Sequence, residues 1–248
     1  ITDKIDTLVG FFGINEKPTS SKDPLALRRI ALGIIRTIIE NKKNLKINDL
    51  LNYSSRLFED QGYKLDNQNL QKDLNDFLKD RFRYYLKEKE IRFDIIEATL
   101  SSFSLNKLFT SFEKAKCLNK IINSQIGMDI NSSYKRASNI LDHEMKNNEI
   151  KINDTTDPGI FKSEFEKNLY KKINDIKKYY STVNSDENFE KSLLILAEVK
   201  KEVFEFFDNV KVNEDDETLR KNRLELINML CKTFQNYINF QFLKANNE

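Results

Sequence analysis

Nothing constrains this sequence more than its scarcity of turn formers. Its 248 residues contain six glycines and three prolines, about a third of the usual ~12 %. Each β-hairpin needs residues that tolerate positive φ or preset a turn, so an all-β fold is excluded and an all-α helical bundle is expected. Charged residues make up 32 % and apolar residues 39 %. Against the usual ~25 % and ~45–50 %, that balance suits long amphipathic helices with solvated outer faces. Eighteen Phe and nine Tyr provide bulk for a core without Trp. The longest apolar run, Ile30 to Ile39, is broken by Arg36 and falls short of the ~18–20 residues of a membrane helix. The chain opens on Ile1-Thr2-Asp3-Lys4 without an initiator Met or a signal-peptide pattern, and reads as part of a longer, cytoplasmic protein. Cys117 and Cys231, far apart in helical patterns, are expected as buried thiols rather than a disulfide.

Hydrophobic spacing marks about ten helices. The first runs from Thr2 to Phe12 and ends near Gly13. Asp23-Pro24 reads as the start of the next, with Asp as cap and Pro in the first turn; Leu27, Ile30, Ala31, Ile34, Ile35 and Ile38 form its inner face. Further helices are expected from Asn48 to Gly62, from an Asn67 cap through Tyr85, near Arg92–Phe103, at Leu105–Asn123 and at about Ser132–Lys146. After a loop from Asn147 to Gly159, the stripe Phe161, Phe165, Leu169, Ile173, Ile176, Tyr180 marks another. Ser185 is expected to cap a helix carrying Phe189 to Phe207. Asn213 is expected to cap the last, with Glu214 to Glu217 in a first turn where the macrodipole favours carboxylates.

The chemistry that is missing narrows the function. With the single histidine His143, no zinc finger, His-Asp metal site or Ser-His-Asp triad can be assembled within the chain. It has no Gly-rich phosphate loop either. The net charge is +2 overall, but residues 1–50 carry +3 and residues 201–248 carry −2. Six basic residues cluster between Lys79 and Arg92, a distribution that permits RNA binding. The loop from Lys17 to Asp23 leads into Arg28 and Arg29. It reads either as a phosphate-holding helix N-terminus with Lys17 and Lys22, or as a capped connection whose arginines are paired.

Several blocks carry a resemblance. Asp3 to Phe12, Glu16-Lys17-Pro18-Thr19, Ser21 to Pro24, Ala26 to Arg29 and Ala31 to Arg36 are joined by Asp80 to Leu86, Asp94 to Ala98 and Tyr134 to Leu141, and then by Phe206 to Val210, Val212-Asn213, Asp215 to Glu217, Leu219-Arg220 and Asn222 to Leu224. In these blocks and their order the chain resembles the β subunits of bacterial heterotetrameric glycyl-tRNA synthetases, in their C-terminal part. The resemblance implies that residues 1–62 end an HD-type helical domain and residues 63–248 form an all-helical anticodon-binding domain. That domain is named for an Asp-Ala-Leu-Arg motif, which reads Glu217-Thr218-Leu219-Arg220 here. It also implies that ATP-dependent glycine activation belongs to the α subunit of an α2β2 enzyme. This chain would then bind tRNA-Gly with no cofactor of its own, ATP being used by the whole enzyme, and without a membrane.

Glycine anticodons end in two cytosines. A cytosine edge needs an acceptor for its amino group and a donor for its carbonyl, and unstacked bases rest on aromatic rings or guanidinium planes. Arg136, Asn139, Arg220 and Arg223 are the leading candidates for this reading, with Tyr134, Lys135, Asp208, Asn209 and Asn222 beside them. Arg81 and Arg83 are candidates for backbone contact, with Lys17, Lys22, Arg28 and Arg29. A helical scaffold for subunit assembly is the alternative. An HD-type phosphohydrolase is argued against by the lone histidine.

Overall fold

Ile5, Leu8, Val9 and Phe12 recur at helical spacing and are all buried, which makes the first helix, α1 (Thr2–Gly13), a core element. The computed structural model describes residues 1–19, 21–147, 151–182 and 188–244. Ser20, residues 148–150 of the expected Asn147–Gly159 loop, and the expected cap Ser185 lie outside the described residues. Among the described residues the chain is all-α, with eleven α-helices, three short 3-10 turns and no strand. None of these helices is long and apolar enough to cross a membrane.

The chain divides into two compact units, Ile1–Ala115 and Lys116–Glu248. Gly62, where a division was expected, lies inside the first unit, because α1 packs against helices on both sides of it. These are α3 (Ile47–Asp60) and α4 (Leu70–Glu88); α2 (Leu27–Glu40) also packs on α1. Gly62 instead ends α3. With φ +84° it lets its own N–H reach Glu59 O at 2.9 Å and the Tyr63 N–H reach Phe58 O at 3.0 Å. Tyr63 then packs edge-on against Phe58, ring centroids 5.8 Å apart. This is a Schellman closure with its hydrophobic contact. Asn67 ties the start of α4 to the end of α1, its side-chain N–H donating to Phe12 O at 3.0 Å. The unit is completed by α5 (Phe93–Ser101), a 3-10 turn at Leu105–Lys107 and the first part of α6 (Leu108–Ile121).

Helix α2 begins three residues later than Asp23-Pro24 suggests. Pro24 and Leu25 form a turn, and Ala26 takes φ +54° before the helix starts at Leu27. Asp23 still does the capping, its two oxygens accepting from Leu27 N at 2.8 Å and Arg28 N at 3.0 Å.

In the second unit α7 spans Gln125–Asn147, beginning seven residues before Ser132. Gly127 is the reason the helix can start there. A Cβ at that position would lie 2.3 Å from Ile121 O and 2.5 Å from Ile122 Cα, so only glycine lets the first turn of α7 press on the end of α6. The unit continues with a 3-10 turn at Pro158–Ile160, then α8 (Glu164–Thr182), α9 (Phe189–Ala197) and α10 (Lys200–Asn209). The single helix expected over Phe189–Phe207 is thus broken at Glu198-Val199, and Asn188 caps α9 by accepting from Lys191 N at 3.0 Å. Last come α11 (Glu217–Gln235) and a 3-10 turn at Phe240–Phe242. The cap of α11 is Asp216 rather than Asn213, accepting from Thr218 N at 2.9 Å and Leu219 N at 3.1 Å.

Helix α11 packs against α7 and α8 and is buried over most of its surface, from Leu219 to Phe234. Phe240 is fully buried against Tyr134 and Phe234, at 5.7 and 5.5 Å. At roughly 1.5–3 kcal/mol per fully buried large side chain, this segment is an integral part of the core. Cys231 on α11 is buried and Cys117 on α6 half-buried, and the two form no disulfide. Burial pushes the Cys231 thiol up to about 12, so it stays protonated and unreactive near neutral pH.

Candidate nucleic-acid interface

Arg136 lies in the middle of α7, and its guanidinium reaches the end of α10. It donates to Asp208 Oδ1 at 2.5 Å and lies over the rings of Phe204 and Phe207, 4.9 and 5.3 Å from their centroids. Phe207 is backed edge-on by buried Phe206 at 5.1 Å, which fixes its ring. A guanidinium at the last turn of α10 is also favoured by the macrodipole. Lys200, in the first turn of α10, lies 5.8 Å over Phe204 and donates to Asp129 on α7 at 2.7 Å. Burial alone would raise the Asp129 carboxyl, but Lys200 and Gln125 outweigh it and hold it below its usual range. Asp208 and Asn209 are exposed and Lys135 is half-exposed; Asn209 donates back to Glu205 O at 2.9 Å. Asn139, one turn beyond Arg136, is exposed.

Eight residues along α7 from Arg136, and so about 12 Å at 1.5 Å per residue, Glu144 meets Arg220 of α11 at 2.5 Å. Two ion pairs therefore link α7 to the end of α10 and to the start of α11. Each pair joins α7 to a segment more than 70 residues away, Arg136 to Asp208 and Glu144 to Arg220. Thr218, the departure from the Asp-Ala-Leu-Arg motif, is exposed, so the extra bulk displaces no core atom. Leu219 faces the core and Arg220 makes the tie to α7.

Three expected site residues are structural instead. Tyr134 is 3 % exposed and packs against Phe234 and Phe240; burial pushes its hydroxyl up to about 12. Asn222 is buried and braces the loop before α8. It accepts from Thr156 Oγ1 at 2.8 Å and Asp157 N at 2.7 Å, and donates to Asp157 O at 2.9 Å. Arg223 is 5 % exposed. Its Nε donates to Glu166 Oε1 at 2.8 Å, and one terminal nitrogen donates to Lys211 O at 2.8 Å and Glu214 at 3.1 Å. Its carboxylate partners are thus Glu166 and Glu214, and only 6 % of the side chain is left exposed for a base to meet.

Glu166 escaped the sequence reading. It is fully buried and closes a reciprocal capping box on α8. Its Oε2 accepts from Lys162 N and Ser163 N at 2.8 Å, while Ser163 Oγ accepts from Glu166 N at 3.3 Å. The Ser163-x-x-Glu166 spacing was the available signal.

The first unit holds the remaining candidates. Lys17 donates to Asp73 at 2.6 Å; with Asn67 it holds the Asp73 carboxyl below its usual range. Arg28 donates to Thr19 O and faces Asp23. The N-terminus of α2 is therefore filled by Asp23, and a phosphate there would meet a carboxylate; the capped-connection reading holds for Arg28. Arg83 is paired with Glu97, and Arg81 lies 5.9 Å from both the Phe77 and Tyr84 rings. Lys22 and Arg29 are exposed. The lone His143 is an exposed residue of α7 beside Glu144, at 3.7 Å.

An all-helical unit whose last long helix opens on Glu-Thr-Leu-Arg has the features of one class, and residues 130–243 match the family described as DALR anticodon binding domain. Residues 1–101 match the family described as Glycyl-tRNA synthetase beta subunit. The glycine–tRNA ligase beta subunits of Rickettsia africae (strain ESF-5) and Rickettsia conorii (strain ATCC VR-613 / Malish 7) are each 36 % identical over 243 residues, 98 % of this chain and 34 % of theirs. That of Rickettsia prowazekii (strain Madrid E) is 33 % identical over 240 residues, 97 % of this chain and 34 % of its own. The chain belongs to the glycyl-tRNA synthetase β-subunit family, and it spans about a third of the length of the curated relatives it matches.

Proposed function

We propose that this chain is the tRNA-binding, non-catalytic part of a glycine–tRNA ligase β subunit, and that its second unit recognises the anticodon of tRNA-Gly. The observation that carries this reading is the Arg136–Asp208–Phe204–Phe207 cluster on α7 and α10, inside the segment that matches an anticodon-binding family. Acceptor, cation and aromatic surface are the groups that single-stranded bases need. Glycine activation with ATP is assigned to an α subunit, in an α2β2 assembly in the cytoplasm, and this chain is assigned no cofactor. An HD-type origin for residues 1–62 rests on the resemblance alone.

The test is equilibrium binding of the chain to tRNA-Gly and to a tRNA with altered anticodon cytosines, together with ATP–pyrophosphate exchange. Preference for the cytosine anticodon without exchange activity is expected. Equal binding of both RNAs, or exchange by the pure chain, defeats the reading.

A second reading, subunit assembly, is favoured by one feature of the first unit. Phe11, Ile14, Phe58, Tyr63 and Leu65 line a groove of about 430 Å³, with Ile14 and Tyr63 53 % and 60 % exposed. Loss of α-subunit association, with RNA binding intact, after Tyr63→Ser would support it.

A further inference from the structure

The cluster on α7 and α10 divides two tasks that a base-reading site must perform. Arg136 lies over the Phe204 and Phe207 rings with Asp208 at a terminal nitrogen, and its side chain keeps 32 % of its surface. The surface left open is suited to stacking, since guanidinium planes carry unstacked bases as aromatic rings do. Asp208 has 60 % of its side chain exposed. An ionised carboxylate accepts only, with about four lone-pair sites, and Arg136 takes one of them. An acceptor beside a stacking plane fits a base whose edge presents an amino group. In the choice between the two pyrimidines that base is cytosine, because uracil carries a carbonyl oxygen at the same position.

We propose that Arg136, held over Phe204 and Phe207, is the stacking surface for one anticodon cytosine, and that Asp208 is the residue that selects cytosine over uracil by accepting from its amino group. The proposal rests on the anticodon-binding reading. It reassigns Arg136 from hydrogen-bonding reader to platform, and makes Phe204 and Phe207 part of the site. Lys200, shared between Phe204 and Asp129, holds the opposite end of the platform.

The experiment measures binding of the full 248-residue chain to tRNA-Gly and to the two single cytosine-to-uracil anticodon variants. A third probe is tRNA-Gly with fluorescent pyrrolocytosine at each of those positions in turn. The wild-type chain should prefer cytosine at one position by roughly tenfold and quench the fluorophore there. Asp208→Asn should reduce that preference to within about twofold, because an amide can turn either its oxygen or its NH2 to the base. Arg136→Lys keeps the charge and loses the plane. It should weaken cytosine and uracil RNAs alike, by roughly tenfold, and abolish quenching. Phe204→Leu, which keeps apolar bulk, should act in the same direction, with folding of each variant checked by its thermal transition.

If the wild type discriminates but Asp208→Asn keeps the full preference, or Arg136→Lys still quenches, the division of tasks is wrong while anticodon binding stands. Should the wild-type chain bind no tRNA, or bind cytosine and uracil RNAs equally, the anticodon-binding reading falls and the proposal falls with it.

Discussion

Glu166 is a fully buried carboxylate on the core side of α8, tolerable because each of its oxygens has a donor: two backbone N–H groups on Oε2 and Arg223 on Oε1. Burial pushes the group up, but Arg223 and the backbone donors outweigh it and hold it below its usual range. Removing one member of a buried pair leaves an uncompensated charge, so Arg223→Met should cost about 3–5 kcal/mol in a urea unfolding curve. The pH dependence has a definite sign. A depressed carboxyl contributes stability that is complete above its unfolded value, near ~4.3, and is lost as pH falls through the folded value. In Arg223→Met the partner is gone and burial favours the neutral acid. The stability gap between wild type and variant should therefore narrow as pH drops below about 4; a constant gap would mean that Glu166 is not the partner that matters. Residue positions also show why Tyr134 and Arg136 could not both face an RNA. Two residues apart on a helix is about 200° of rotation, and Tyr134 belongs to the buried side. Likewise Arg223 lies four residues after Leu219 and three before Leu226, on the core stripe of α11.

Among elements, helix existence was legible and helix ends were not. The stripes of α1, α2, α4 and α8 follow the 3.6 period closely. Boundaries shifted for local reasons: Asp216 displaced Asn213 as the cap of α11, and Gly127 let α7 begin against the end of α6. The break between α9 and α10 falls at Glu198-Val199, where no glycine or proline announces it. The site was half legible: Arg136 and Asp208 each stood out by chemistry, but their pairing across 72 residues is a product of packing. Two glycines at helix ends make a matched test. Gly62→Ala meets no atom within 4 Å but keeps φ +84°, and should cost about 1 kcal/mol. Gly127→Ala keeps an ordinary helical backbone but drives a Cβ into Ile121 O, and should cost about 3 kcal/mol. Thermal melts of both should rank them in that order; the reverse would mean that the α6–α7 junction relaxes freely.

For the whole molecule, a net charge of +2 gives little long-range attraction to RNA, so affinity should depend on local cations with strong salt sensitivity. Lys22 and Arg29, exposed on the first unit, are the residues to probe. If they touch phosphates, replacing either with Ala should lower the magnitude of the log–log salt slope by about 0.7–0.9, with cytosine preference unchanged. Arg83→Ala should instead act on stability, through the lost pair with Glu97. An unchanged slope for both Lys22→Ala and Arg29→Ala would exclude them as backbone contacts. The central position of α11 has a further consequence during synthesis. A ribosome adding roughly 5–20 residues per second completes α7 several seconds before it delivers α11 and Phe240. In that interval the inward side of α7, with Tyr134, Ala137 and Leu141, has no Leu226, Leu230 or Phe234 to cover it. Transiently bare apolar surface of this kind is what makes a half-emerged domain prone to aggregate until its covering helix arrives.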